Sequence, residues 1–198
     1  MNKAAETQQK KYDYNPVGNR NDRICRALLA RELLNGKTVH VIDVADDKFF
    51  QKKDIDMICV NSDLKCTSVE IKADNYAAVG GTKYVYLETI SNSNKYLRTH
   101  SREGKGCMLI TQSDYLIFYF IRNDNYMIIR TKDLKQYIYD NLDSGKYEIK
   151  SAVTYGYDGN ILYNSYGMLV PVNDLVEKVG ARVVQSKVRY SDIAKEVA

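Results

Sequence analysis

The sequence is short of proline, histidine and long apolar runs, and it has no tryptophan and no paired cysteines. Two prolines in 198 residues argue against extended disordered linkers. The longest apolar run, YLIFYFI at 115–121, falls far below the roughly 20 residues of a bilayer-spanning helix. The polar start MNKAAETQQKKYDYN holds no apolar signal-peptide core, so an intracellular, cytoplasmic protein is expected. Cys25, Cys59, Cys66 and Cys107 form no CxxC pair and have no histidine at zinc-ligand spacing, which reads as reduced and mostly buried thiols. His40 and His100 stand too far from any serine or cysteine pairing to build a triad. No repeat and no low-complexity stretch is present.

What remains is an ordinary globular composition, 44% apolar and 27% charged, at a length that suits one domain with a real core. The net charge of +4 favours an anionic partner only weakly. Local clustering says more: NKYLRTHSREGKG, 94–106, carries Lys95, Arg98, Arg102 and Lys105 with a single acid, and suits either a phosphate backbone or plain solvation. Tyrosine supplies 17 of the aromatics, and Tyr155, Tyr157, Tyr163 and Tyr166 gather late in the chain, where base stacking competes with half-burial on a β surface.

Hydrophobic periodicity predicts a helix over 21–34, with Ile24, Cys25, Leu28, Leu29 and Leu33 on one arc and Asn35-Gly36 as its stop. Strands are expected at TVHVIDV (38–44), DIDMICV (54–60), CTSVEIKA (66–73) and KYVYLETI (83–90), with CMLITQSDYLIFYFIR and NYMIIR as neighbours around an NDN turn. Thr131 is expected to cap a helix over 132–142, Asn173 a short helix, and Asp158-Gly159 to turn a hairpin. The expected architecture is α/β: a flexible tail over 1–18, a core of mixed β-sheet flanked by helices over 19–145, and a β-rich extension over 146–198 packed on it.

The stretch VEIKAD, close behind KKDIDMICV, raises the chemical question. Alternation puts Asp54, Asp56, Ile58 and Val60 on one face of their strand, and Glu70 and Lys72 on one face of the next. Paired strands lie about 4.8 Å apart, so Asp56 and Glu70 can hold a common cation. Lys72 sits about 6.6 Å along the same face, within reach of a phosphate or of a water on that cation. The bland alternative is an ion pair on an exposed sheet face, worth little to stability. Asp54 is a rival to Asp56, Asp74 reads as a strand-ending turn residue, and Gln51, Lys52 and Lys53 suit a DNA approach or a solvated turn equally.

DIDMICV followed by VEIK resembles the D…(E/D)xK signature of the PD-(D/E)XK nuclease superfamily, with Ile55 where the proline would stand. GNRNDRICRALL and TVHVIDV look like the first helix and strand of archaeal Holliday junction resolvases. The stretch from Phe49 to Glu88 resembles uncharacterised phage-encoded members, which carry a further strand acid. The resemblance implies a restriction endonuclease-like fold and a Mg²⁺-dependent deoxyribonuclease, with Mn²⁺ able to substitute and DNA as partner, and it admits a homodimer. Asp56, Glu70 and Lys72 would be catalytic. Asp56, Glu70, Asp22 and Glu88 would be metal ligands, with Glu32 a rival to Asp22 as the helix acid. By the charge clustering of their loop, Lys95, Arg98, Arg102 and Lys105 would contact that DNA. The alternative is a nuclease-fold protein without catalysis that binds nucleic acid or a protein partner.

Overall fold

Tyr115–Phe120 is apolar at every position, a composition that suits a strand buried on both faces. The computed structural model, which describes residues 16–34, 37–74, 84–93, 104–155 and 160–197, places it near the middle of a six-stranded sheet. The strands are β1 (Thr38–Asp43), β2 (Met57–Asn61), β3 (Cys66–Asp74), β4 (Tyr84–Ile90), β5 (Tyr115–Phe120), β6 (Asn125–Arg130), β7 (Ile149–Tyr155), β8 (Ile161–Pro171) and β9 (Arg182–Gln185). The large sheet runs β1-β2-β3-β5-β6-β9, with β3 and β5 parallel and the other neighbours antiparallel. A second, three-stranded antiparallel sheet runs β4-β8-β7. The protein is therefore mixed α/β with two sheets, and β4, expected as a strand, belongs to the second of them.

The helices are α1 (Pro16–Leu33), α2 (Lys48–Gln51), α3 (Cys107–Ile110), α4 (Thr131–Asn141), α5 (Val172–Asp174), which continues into a π turn at Leu175–Val179, and α6 (Tyr190–Val197). On one face of the large sheet, Ile24, Cys25, Leu28 and Leu29 of α1 pack with Ile193 of α6 against Met57, Val69, Ile71, Ile117 and Tyr119. On the other, Leu116, Phe118 and Phe120 meet Val85 and Leu87 of β4, Met168 and Val170 of β8, and Leu134 and Ile138 of α4. The alternation of β5 thus feeds two cores. Among the described residues no helix is long and apolar enough to cross a membrane, and the four cysteines are free.

Several expectations need correcting. The first helix starts at Pro16, inside the stretch expected to be tail, and its Asn35-Gly36 stop lies outside the described residues. Residues 107–122 are not one strand: α3 and an irregular stretch precede β5. Thr131 does not cap α4 but is its first residue, and its hydroxyl lies 3.1 Å from Ser113 Oγ. Asn173 sits inside α5, with no side-chain cap at that helix start. The Asp158-Gly159 turn, Tyr157 and most of the basic loop, including Lys95, Arg98 and Arg102, lie outside the described residues.

Remote segments fix α1. Glu32 Oε1 accepts from Ser186 Oγ at 2.9 Å, from the Val188 N–H at 2.6 Å and from the Lys187 N–H, which makes Glu32 an anchor for the turn before α6. Tyr190 donates its hydroxyl to Asn21 Oδ1 at 2.6 Å, and its N–H to Asp124 Oδ1 at 2.7 Å. Asp124 itself holds a left-handed backbone, φ 47°, in the β5–β6 turn. Because one carboxylate serves three donors, Glu32→Ala is expected to lower the unfolding free energy by about 1–3 kcal/mol, read from the urea midpoint at constant m-value. An unchanged midpoint would mean that water replaces the carboxylate at no loss.

Candidate active site

The site starts from a backbone shortage. In β3 the odd-numbered residues direct their N–H and C=O groups toward β2, while Ser68 and Asp74 bond on the β5 side. The β2–β3 ladder ends at Met57↔Val69, so β3 runs five residues past its partner. The next two N–H groups on that edge are taken by side chains: Ile71 donates to Asp56 Oδ2 at 2.8 Å and Ala73 to Asp22 Oδ1 at 3.4 Å. Two carboxylates stand where a strand would have supplied carbonyls, and β3 holds each of them in place.

Asp56 reaches this position because β3 and the residue that follows β1 grip its backbone: its N–H donates to Val69 O at 2.9 Å and its carbonyl accepts from the Val44 N–H at 2.8 Å. Asp22 comes from α1, and Arg26, one turn later on the same side of the helix, is oriented by Asp43 of β1 through a 3.0 Å contact from Nε. Arg26 was missed in the sequence, although the i, i+4 spacing from Asp22 was there to be read. Glu32, the rival helix acid, is committed to the turn before α6 and does not join the cluster.

Glu70 and Lys72 occupy the opposite side of β3, where Lys72 Nζ lies 2.7 Å from Glu70 Oε1. The alternative of an ion pair on an exposed sheet face does not describe Glu70, which is 4% exposed because the second sheet and α3 cover this face. Glu88 arrives from β4, held by the Cys107 N–H and the Ser165 hydroxyl. Gly106 makes that approach possible: a Cβ there would lie 2.2 Å from Glu88 O. Asp54 is not one pleat before Asp56 on a strand. It occupies a left-handed turn, φ 48°, with its carboxylate turned inward, and its charge acts on both Glu70 and Glu88. Lys105 bridges to Ile90 at the end of β4, and Asp74 is the last residue of β3.

Electrostatics centre on Lys72. Burial works against its charge, yet Cys107, once its thiol ionises at alkaline pH, together with Glu70 and Asp56 outweighs burial and holds the ammonium well above its usual range. Burial and then Glu70 push the Asp56 carboxyl up to about 7, against Lys72, the Ile71 N–H and Arg26. Burial likewise raises Glu70, Glu88 and Asp22, and Lys72 opposes it in all three. The Cys107 thiol, pushed up by burial to about 12, is neutral at physiological pH. Nothing in the motif pointed to Cys107, which lies 35 residues from Lys72 in sequence.

The four acids Asp22, Asp56, Glu70 and Glu88 thus share Lys72 as a neighbour. Among the described residues, however, no three His, Cys, Asp or Glu side chains surround one point as a metal cage would. The nearest approach to one is the pair Asp56 and Glu70, two adjacent carboxyls of raised proton affinity, a donor set that suits a hard divalent cation able to displace the proton. No family model matches the chain, and no curated protein or solved structure matches it.

The raised Asp56 carboxyl has a signed consequence for stability. Between its ordinary value of 3.8 and about 7, the folded protein keeps a proton that the unfolded chain has released. Stability without metal therefore falls as pH rises through that window and levels off above it. Asp56→Asn should flatten the slope, by up to about 1.4 kcal/mol per pH unit for one proton, in urea titrations at pH 5, 6, 7 and 8 with EDTA. A parallel pH dependence in the variant would remove Asp56 as the titrating group. Gly106→Ala, which drives a Cβ into Glu88 O, should cost at least about 1–3 kcal/mol in thermal unfolding, whereas a harmless substitution would show that α3 moves away freely.

Proposed function

We propose that this chain is a metal-dependent phosphodiesterase acting on DNA, of the PD-(D/E)XK nuclease kind, with a restriction endonuclease-like core. The observation that carries the reading is the Asp56 carboxylate fixed on the Ile71 N–H at the open edge of β3, beside a buried Glu70 paired with Lys72. A strand end that holds two carboxylates and a lysine at one divergence is costly as mere structure, since the acids repel each other and resist burial. The cost is offset if a cation and a phosphate complete the charge balance.

Asp56 and Glu70 would hold Mg²⁺ or Mn²⁺, with Asp22 and Glu88 the next nearest acids. The metal, when bound, supplies an acidified water and stabilises charge on the phosphate. Asp56 reaches the site with one oxygen bound to the Ile71 N–H, so its other oxygen is the one available for the ion. Lys72 stays protonated throughout the neutral range, so its part is that of a cation: it donates to a phosphate oxygen or orients the attacking water, and it does not act as a base. Release from Glu70 as that carboxylate turns to the metal would free the ammonium for this task.

A binding protein without catalysis is the second reading, favoured by the engagement of Lys72 with Glu70 and by the lack of a three-ligand cage among the described residues. The deciding experiment incubates the protein with branched, single-stranded and duplex DNA in Mg²⁺, Mn²⁺ or EDTA. The nuclease reading expects metal-dependent cleavage that is lost in Asp56→Ala and Glu70→Ala. Lys72→Ala should keep metal and DNA binding while single-turnover cleavage drops by ~10² or more, the scale of losing one preorganised donor. Binding without cleavage under every metal condition would establish the second reading instead.

A further inference from the structure

Only one of the four phenylalanines is turned outward. Phe118 and Phe120 are buried and Phe50 is half-buried, but Phe49 is 59% exposed, in the segment that leads from β1 to Asp56. Water contact on so large a ring is unfavourable, and the segment covers it only in part. It is also tightly built. Asp47 Oδ1 accepts from the Phe49 and Phe50 N–H groups at 2.7 and 3.4 Å, and Gln51 Nε2 donates to Ala45 O at 2.9 Å. The Ile55 N–H donates to Phe50 O at 3.2 Å, which ties the turn to the residue just before Asp56.

Charge surrounds the ring. Lys48, Lys52 and Lys53 belong to the same turn, and Lys53 Nζ lies 4.1 Å from the Phe49 ring centre. Phe50 meets Phe49 edge to face, at 5.3 Å and 89°, which fixes the ring's orientation. Of the neighbouring acids, Asp47 is engaged by the backbone and Asp54 is turned inward, which leaves the exposed Asp46 as the acid that faces outward with the three lysines of the turn. An exposed, rigidly mounted aromatic with an ammonium on one face and two further lysines in its turn suits a partner that offers flat π faces joined by regularly spaced anions.

We propose that Phe49 is a stacking platform for an unpaired base of single-stranded or splayed nucleic acid, with Lys48, Lys52 and Lys53 meeting the flanking phosphates. The inference rests on the nuclease reading for its choice of partner. An anionic lipid surface would also accept lysines and an aromatic, but the turn is bonded directly to the strand entry that carries Asp56, which favours the polymer to be acted on. The platform would hold a strand a few residues from the acid pair and bias the site toward junctions, flaps or single strands over intact duplex.

The absence of tryptophan supplies a direct test. In Phe49→Trp the new indole is the sole fluorophore of its kind. Titration with a single-stranded oligonucleotide in EDTA should quench its emission, while vesicles containing phosphatidylserine should leave it unchanged. Phe49→Ala and Phe49→Leu should each bind the oligonucleotide about tenfold more weakly by anisotropy, about 1.4 kcal/mol, since bulk without a π face does not stack. Unquenched indole, wild-type affinity in Phe49→Ala, or a blue shift with vesicles but no response to the oligonucleotide would each overturn the proposal. The two readings fail separately. Quenching without cleavage in any metal sinks the nuclease and keeps the platform, whereas cleavage with wild-type binding in Phe49→Ala sinks the platform alone.

Discussion

The Ile71 and Ala73 N–H groups at the open edge of β3 must be satisfied, and the architecture around the site follows from how they are. A strand that outruns its partner normally ends, bulges or finds water. Here β3 continues between β5 on one side and two side-chain carboxylates on the other. That arrangement requires β2 to begin late, α1 to cross near the end of β3, and Asp56 to lie at the entry of β2 with its own backbone bonded to both neighbours. Shift any of these and the edge loses its acceptors.

Lys72 then carries the electrostatic burden of a region that gathers five acids, Asp22, Asp54, Asp56, Glu70 and Glu88. Its ammonium opposes the raised proton affinity of Asp22, Asp56, Glu70 and Glu88 together. A cluster so arranged is held in a charge state short of balance, and such frustrated spots tend to lie where a ligand completes them. Arg26 is the second cation of the group, fixed by Asp43 on the α1 side, so the acids lie between two positive residues that enter from opposite faces of the sheet.

Much of this was legible in order and alternation. The Asp56–Glu70 juxtaposition followed from strand period and pairing, and the apolar arc of α1 from helical period. What alternation does not encode is which sheet a strand joins. Tyr84, Tyr86 and Glu88 read the same beside β3 or beside β8, and the choice was settled by Val85 and Leu87 packing across to β5 and α4. Asp54 looked like a strand residue because its neighbours alternate; only the Thr111 hydroxyl on its carbonyl and the left-handed turn take it out of register. Glu32 sat in the apolar arc for a reason invisible locally, since its donors lie more than 150 residues away.

That distance has a kinetic side. The Tyr190–Asn21 and Glu32–Val188 hydrogen bonds join segments 169 and 156 residues apart, so α1 can pack on the sheet early but acquires its fixed orientation only after β9 and α6 have arrived. Contacts of such long range form late, because loop-closure entropy must be overcome first. Asp22 follows Asn21 directly. While the chain is being synthesised, the acid cluster lacks its helical member, and the cluster is complete only when the rest of the fold is already in place.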